Sequence, residues 1–148
     1  MTLHQATAVA VDGRAILIEG PPGSGKSSLA LALIDRGATL IGDDGVRLEI
    51  RAGTLWASPP DATLGLLELR GVGLIELPAT AAPVALLLEA NDAPPRFVEQ
   101  AALRDWQGTS VPVLPFDLRA STAAVRAEYA LAMHGLTHPG ASGPGTLP

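Results

Sequence analysis

The sequence predicts an α/β domain of the P-loop NTPase-like type. Its core is mostly β and built of hairpins, with one helix behind a phosphate-binding loop and another near the C-terminus. Three observations predict this. Gly20-Pro21-Pro22-Gly23-Ser24-Gly25-Lys26-Ser27 is an intact G-x-x-x-x-G-K-S loop, set between the apolar run 15–18 and the helical run 29–34. Short apolar runs are repeatedly split by turn residues such as Asp12-Gly13. Between Arg119 and His134, apolar residues recur every four positions.

His4 lies just upstream of the first predicted strand. On chemistry alone, a lone histidine near a terminus reads as a solvent-exposed residue. Residues 8–11 and 14–19 flank Asp12-Gly13, a pair that favours the positive-φ turns matching strand twist, so a hairpin is predicted. Its second strand delivers the loop. The glycines let successive backbone N–H groups face one anion, Lys26 can reach the outer phosphates, and the Ser27 hydroxyl can coordinate Mg²⁺. The pattern arises by chance in roughly one window in 10⁴ to 10⁵. Lys26 is also the only lysine, the other nine basic residues being arginines. A compact charge on a flexible stem has been kept where it must meet a phosphate. A nucleoside triphosphate site over residues 20–27 follows.

A helix is predicted over 27–36, stopped by Gly37. Residues 38–41 read as a short strand carrying Gly42-Asp43-Asp44-Gly45 at its carboxyl end, where ligands sit in open α/β sheets. Paired aspartates there have two readings. One is a polar turn. The other is a carboxylate for Mg²⁺ beside one for proton transfer. Residues 46–50 and 54–57, joined by Arg51-Ala52-Gly53, predict a second hairpin. The run 66–77 sets charges within strand-like apolar sequence and reads as an exposed strand edge. Its glycines suggest a backbone closely approached by something else. Residues 84–88 are a central-strand candidate, and Arg96 follows on a loop after Pro95. Val125, Tyr129 and Met133 mark the predicted inner stripe of the closing helix.

Composition bounds the function. A net charge of −5 without a basic cluster argues against nucleic acid as a main partner. No apolar run approaches a membrane span, the first residues show no signal-peptide pattern, and there is no cysteine for a disulfide or thiolate metal site. The expectation is one cytoplasmic catalytic domain over residues 1–136. The Pro/Gly/Ser-rich stretch 137–148 is expected to be a disordered tail.

Taken together, these segments resemble the C-terminal catalytic domain of HPr kinase/phosphorylase, over roughly residues 3 to 134. Four stretches carry the resemblance: the loop itself, Leu40-Ile41-Gly42-Asp43-Asp44, His4 ahead of the hairpin, and Leu67-Glu68-Leu69-Arg70-Gly71-Val72-Gly73-Leu74-Ile75. The last is similar to the family pattern L-E-I-R-G-x-G-I-I and is far more specific than the loop. The resemblance implies an HPr-kinase-type fold and an ATP- and Mg²⁺-dependent protein serine kinase. Its partner would be HPr or a related phosphocarrier, and it would assemble as a homo-oligomer, a hexamer in relatives. It implies that Lys26 and the loop hold the β- and γ-phosphates, and that Ser27 and Glu68 ligate Mg²⁺. Asp44 would accept the serine proton and Asp43 assist the metal, although the two can exchange roles. His4 and Arg96 would be catalytic, Arg96 by stabilising the transferring phosphoryl group.

Departures accompany the matches. The N-terminal domain of the family's long forms is not in this sequence, Ser28 stands where glutamate is usual, and the link from Leu77 to Val84 is short. The family's P-V-R-P-G-R motif, tied to dephosphorylation, is Pro112-Val113-Leu114-Pro115-Phe116-Asp117 here, without its arginines. A kinase with a weakened phosphorylase is therefore expected, with Arg119 as a substitute arginine if the loop folds back. Two rival readings remain at this stage: a small-molecule kinase using the same loop, and a non-catalytic ATP-binding regulatory module.

Overall fold

The computed structural model describes residues 2–138. In chain order it contains β1 (Thr2–His4), β2 (Thr7–Val11), β3 (Arg14–Glu19), α1 (Lys26–Asp35), β4 (Thr39–Gly42), β5 (Val46–Arg51) and β6 (Thr54–Ser58). Then follow β7 (Leu66–Leu69), β8 (Gly73–Glu76), β9 (Ala82–Ala90), β10 (Ala102–Trp106), β11 (Thr109–Phe116) and α2 (Ala123–His134). Nine strands make one sheet in the order β1-β5-β6-β9-β3-β2-β4, with β11 also on β9 and β10 outside β11. The strands β7 and β8 form a separate two-stranded sheet.

The loop-bearing strand β3 sits deep in the sheet. On one side it meets β2 through the predicted hairpin, whose turn residues Asp12 and Gly13 have φ of 51° and 77°. On the other it runs parallel to β9, with Ile16 opposite Leu86 and Ile18 opposite Leu88. Side chains alternate between two cores. Leu17, Ile41, Leu48, Leu55 and Leu87 fill one face. Ile16, Ile18, Leu86 and Leu88 face the helices, where they meet Leu29 and Leu33 of α1 and Ala127 and Leu131 of α2. Burial on both faces is why β3 and β9 read as unbroken apolar runs.

Burial extends to one charge. The Arg14 side chain is fully buried at the start of β3 and donates from Nη1 to the Leu136 carbonyl at 3.2 Å, tying that strand to the segment after α2. Desolvation lowers its pKa, partly opposed by Asp12.

The structure corrects several expectations. His4 is not upstream of the sheet but ends its edge strand, paired with Val46 of β5. The run 66–77 is not one strand edge; it folds on itself as a β7–β8 hairpin. Its glycines serve the turn, since Gly71 and Gly73 have φ of 80° and 137° and a Cβ at either would meet open space, not a neighbour. The β10–β11 hairpin was not predicted, because Pro112 and Pro115 disguise a strand that pairs with both β10 and β9. In α2 the inner stripe is Ala123, Ala127 and Leu131, while Tyr129 and Met133 are 55% and 74% exposed. Small residues make up most of the buried face, so side-chain size pointed to the wrong one. Of the expected tail, Thr137 and His138 are described, with His138 Nε2 2.9 Å from the Val84 carbonyl; residues 139–148 lie outside the described residues.

Candidate functional site

The loop leaves β3 at Glu19 and enters α1 at Lys26. Two of its glycines are sterically required. At Gly20 a Cβ would lie 2.5 Å from Ser24 Oγ and 2.7 Å from the Ala90 Cβ, so the base of the loop packs on the end of β9. Gly25, at the helix N-cap, has φ of 106°, a left-handed conformation that glycine adopts freely. No side chain caps α1 and no acidic residue stands in its first turn. Its leading N–H groups are thus directed at the loop mouth, the arrangement that favours an anion. Lys26 Nζ spans that mouth, donating to the Gly20 carbonyl at 2.7 Å and the Pro21 carbonyl at 3.2 Å.

A cavity of about 760 Å³ opens in front of the loop. It brings together Gly23, Gly25, Lys26 and Ser27 from the loop, Asp43 and Asp44 from the end of β4, and Glu68 from β7. Pro22 is also on its wall, whereas Gly20, Pro21 and Ser24, elsewhere in the loop, are not. Ser24 Oγ is buried there without a hydrogen-bond partner among the described residues.

The two aspartates stand in different surroundings. Asp43 is half-buried, and its Oδ1 accepts from Ser27 Oγ at 2.7 Å and Thr7 Oγ1 at 3.1 Å. Asp44 is exposed, with φ of 59° and no side-chain hydrogen bond among the described residues. Its backbone N–H instead points at Thr7 Oγ1, 3.5 Å away. The turn is tight, since a Cβ on Gly42 would run into the Gly45 carbonyl. Thr7 was missed by sequence reasoning. The available signal was a lone polar residue in an apolar strand, and the structure buries it completely.

His4 and Arg96 are not on the cavity wall. His4 Nε2 donates to Glu19 Oε2 at 2.6 Å, and its ring meets Trp106 edge-on with centroids 4.7 Å apart. Arg96 lies exposed on the loop between β9 and β10. Arg104 of β10 is committed to Glu19 and Glu89 at 2.8 and 2.9 Å. Burial alone would raise the Glu19 pKa, but hydrogen bonds and charge from Arg104 and His4 outweigh it and hold the carboxyl below its ordinary value. Arg119, on the segment before α2, does reach the cavity.

The donor set fits Mg²⁺. Among the described residues no group of three or more His, Cys, Asp or Glu could cage a metal. Ser27, Asp43 and Glu68 offer only oxygen, on the wall of a cavity with room for phosphate and water, and Mg²⁺ keeps several such ligands beside one or two carboxylates. The uncapped helix start and the lysine across it fit the phosphates of a nucleotide in the same way.

Similarity to known proteins gives the family. The sequence profile of the HPr serine kinase C-terminal domain matches residues 1–81. A relative from Clostridium botulinum (strain Eklund 17B / Type B), named HPr kinase/phosphorylase, is 51% identical over 69 residues, 47% of this chain and 23% of the relative. One from Clostridium acetobutylicum with the same name is 42% identical over 83 residues, 56% of this chain and 27% of the relative. The chain thus spans about a quarter of the length of the curated relatives it matches. The structure of the HPr(Ser) kinase/phosphatase from Coxiella burnetii superposes with a TM-score of 0.74 at 25% identity, covering 87% of this chain and 97% of that one. This likeness extends through the strands and helix beyond residue 81, and the profile alone spans more than half of the sequence. The chain belongs to the HPr serine kinase C-terminal domain family.

Proposed function

We propose that this protein is an ATP- and Mg²⁺-dependent serine kinase acting on HPr or a related phosphocarrier. The observation that carries the reading is the meeting of Lys26, Ser27, Asp43, Asp44 and Glu68 on one cavity wall, although they come from three separate stretches of the chain. The names of the relatives give the acceptor.

In this reading the N–H groups at the start of α1 and the Lys26 ammonium hold the outer phosphates of the donor. Ser27, Asp43 and Glu68 hold the metal, which when bound neutralises charge on the transferring group. The Ser27 hydroxyl donates a hydrogen bond to Asp43, which leaves its lone pairs free for a cation. Asp44 carries no such hydrogen bond and is exposed, so it takes the proton from the incoming serine hydroxyl. Thr7 fixes the pair by bonding Asp43 through its side chain and Asp44 through its backbone N–H. Catalysis is then mostly positioning: the serine oxygen is held in line with the γ-phosphate while its proton acceptor stands alongside.

No membrane-spanning helix is present among the described residues, none being long and apolar enough. The test is incubation of the purified chain with ATP, Mg²⁺ and candidate carriers, with the phosphosite mapped by mass spectrometry. Phosphate on a carrier serine is the expected result. Transfer to small molecules but to no carrier would replace the proposal with the small-molecule kinase reading.

A further inference from the structure

The arginines of this chain divide into two groups. Arg14, Arg36, Arg47, Arg51, Arg104 and Arg126 each donate to a carboxylate, a carbonyl or a hydroxyl. Arg70, Arg96 and Arg119 have no such side-chain partner among the described residues. Two of these three, Arg70 and Arg119, stand on the wall of the phosphate-loop cavity. An unpaired guanidinium beside a lysine and an uncapped helix start is a site arranged for an anion.

Arg119 has the closer relation to the loop. Its Cγ and Nε lie 3.1 and 3.6 Å from where a Cβ on Gly25 would be, so the arginine stem rests on the bare backbone of the helix N-cap. The side chain also lines the cavity in front of the loop. Lys26, on the Gly20 and Pro21 carbonyls, lines the same cavity. The preceding residues set this pose. Asp117 Oδ1 accepts from the backbone N–H of Arg119 at 3.2 Å, closing a turn. That turn occupies a carboxylate that would otherwise repel phosphate, and Asp117 is not on the cavity wall.

We infer that Arg119 binds the outermost phosphate of the nucleotide together with Lys26. The inference rests on the proposed nucleotide site and adds to it a ligand from outside the loop. With its stem on Gly25 at the cavity wall, Arg119 adds a second cation to the terminal phosphate that Lys26 and the helix start also hold. Arg119 therefore discriminates between tri- and diphosphate.

The experiment is titration of ATP and ADP, each with Mg²⁺, into the full chain and into Arg119→Ala, Arg119→Lys and Arg126→Ala, with heat as the readout and no acceptor present. Arg119→Ala is expected to weaken ATP by about 10-fold or more and ADP by less than about 3-fold, the loss of one charge-assisted fork. Arg119→Lys should recover part of the ATP affinity, and Arg126→Ala should match the unaltered chain. Unchanged ATP affinity in Arg119→Ala would overturn the inference, as would equal weakening of ATP and ADP. If the unaltered chain bound neither nucleotide, the loop reading itself would fail and take this one with it.

Discussion

The His4 Nε2 stands 2.6 Å from Oε2 of Glu19, and Glu19 is the last residue of β3 before the phosphate-binding loop. Arg104 of β10 takes the other Glu19 oxygen at 2.8 Å and reaches Glu89 of β9 at 2.9 Å. The edge strands β1 and β10 are in this way laced to the two central strands at the point where the loop begins. Since Glu19 has a lowered pKa in the fold, its contribution to stability is complete above the ordinary carboxylate range and is lost as pH falls through the lowered value. Urea unfolding between pH 7 and pH 3 should show this loss in the unaltered chain and a shallower one in Glu19→Gln. At pH 7, Arg104→Ala should cost about 1–3 kcal/mol, because it leaves a half-buried carboxylate short of its charged partner.

Lys26→Ala removes the only lysine and the compact charge at the loop mouth. Phosphoryl transfer to a carrier should fall by at least about 10²-fold. The fold should be unaffected, since Lys26 Nζ contacts only two loop carbonyls. Radiolabel transfer and thermal melting on the same preparations check both halves, and undiminished transfer would remove the loop from the reaction.

The two aspartates should separate. Asp44→Asn should lower transfer by about 10² to 10⁴-fold, the usual range for general-base catalysis, with ATP binding nearly intact. Asp43→Asn should weaken Mg²⁺-dependent nucleotide binding first, because Asp43 is the partner of Ser27 and Thr7. Collapse of ATP affinity in Asp44→Asn would exchange the two roles.

The inner face of α2 is testable by two leucine-sized truncations. Leu131→Ala, at a fully buried position, should cost about 2–5 kcal/mol. Met133→Ala, two residues on and 74% exposed, should change stability by less than about 0.5 kcal/mol. Equilibrium denaturation of the pair distinguishes the faces directly.

Much of this architecture could be read from the chain because local chemistry declares it. Asp12-Gly13 and Ala52-Gly53 make positive-φ turns, the latter against the steric preference of Ala52, and Gly37 ends α1 with φ of 112°. The loop, Asp43, Asp44 and Glu68 carry their own patterns and do meet on one wall. Other features depend on tertiary choices that no window of sequence contains. His4 joins a strand only because β5 offers it an edge, and β11 tolerates two prolines because its neighbours supply the remaining ladder. The face of α2 was misread because alanines, not its larger residues, make up most of its buried face. Thr7 escaped notice since a single threonine in a strand is ordinary until a carboxylate from another strand is placed against it.

The parallel pairing of β3 with β9 also bears on how the molecule is made. During synthesis the strand leading into the loop emerges before β9, with its hairpin mate beside it. Its other edge waits for residues 82–90, and β9 in turn waits for residues 113–116. The profile match ends at residue 81, one position short of β9. A fragment with that boundary would hold Lys26, Ser27, both aspartates and Glu68, yet leave an apolar strand edge uncovered and open to pairing between chains. Distant pairings of this kind form slowly and keep such edges exposed while they do. The proposed phosphate loop is therefore translated before the strand that completes its flank, so a nascent chain has the whole motif before it has a site.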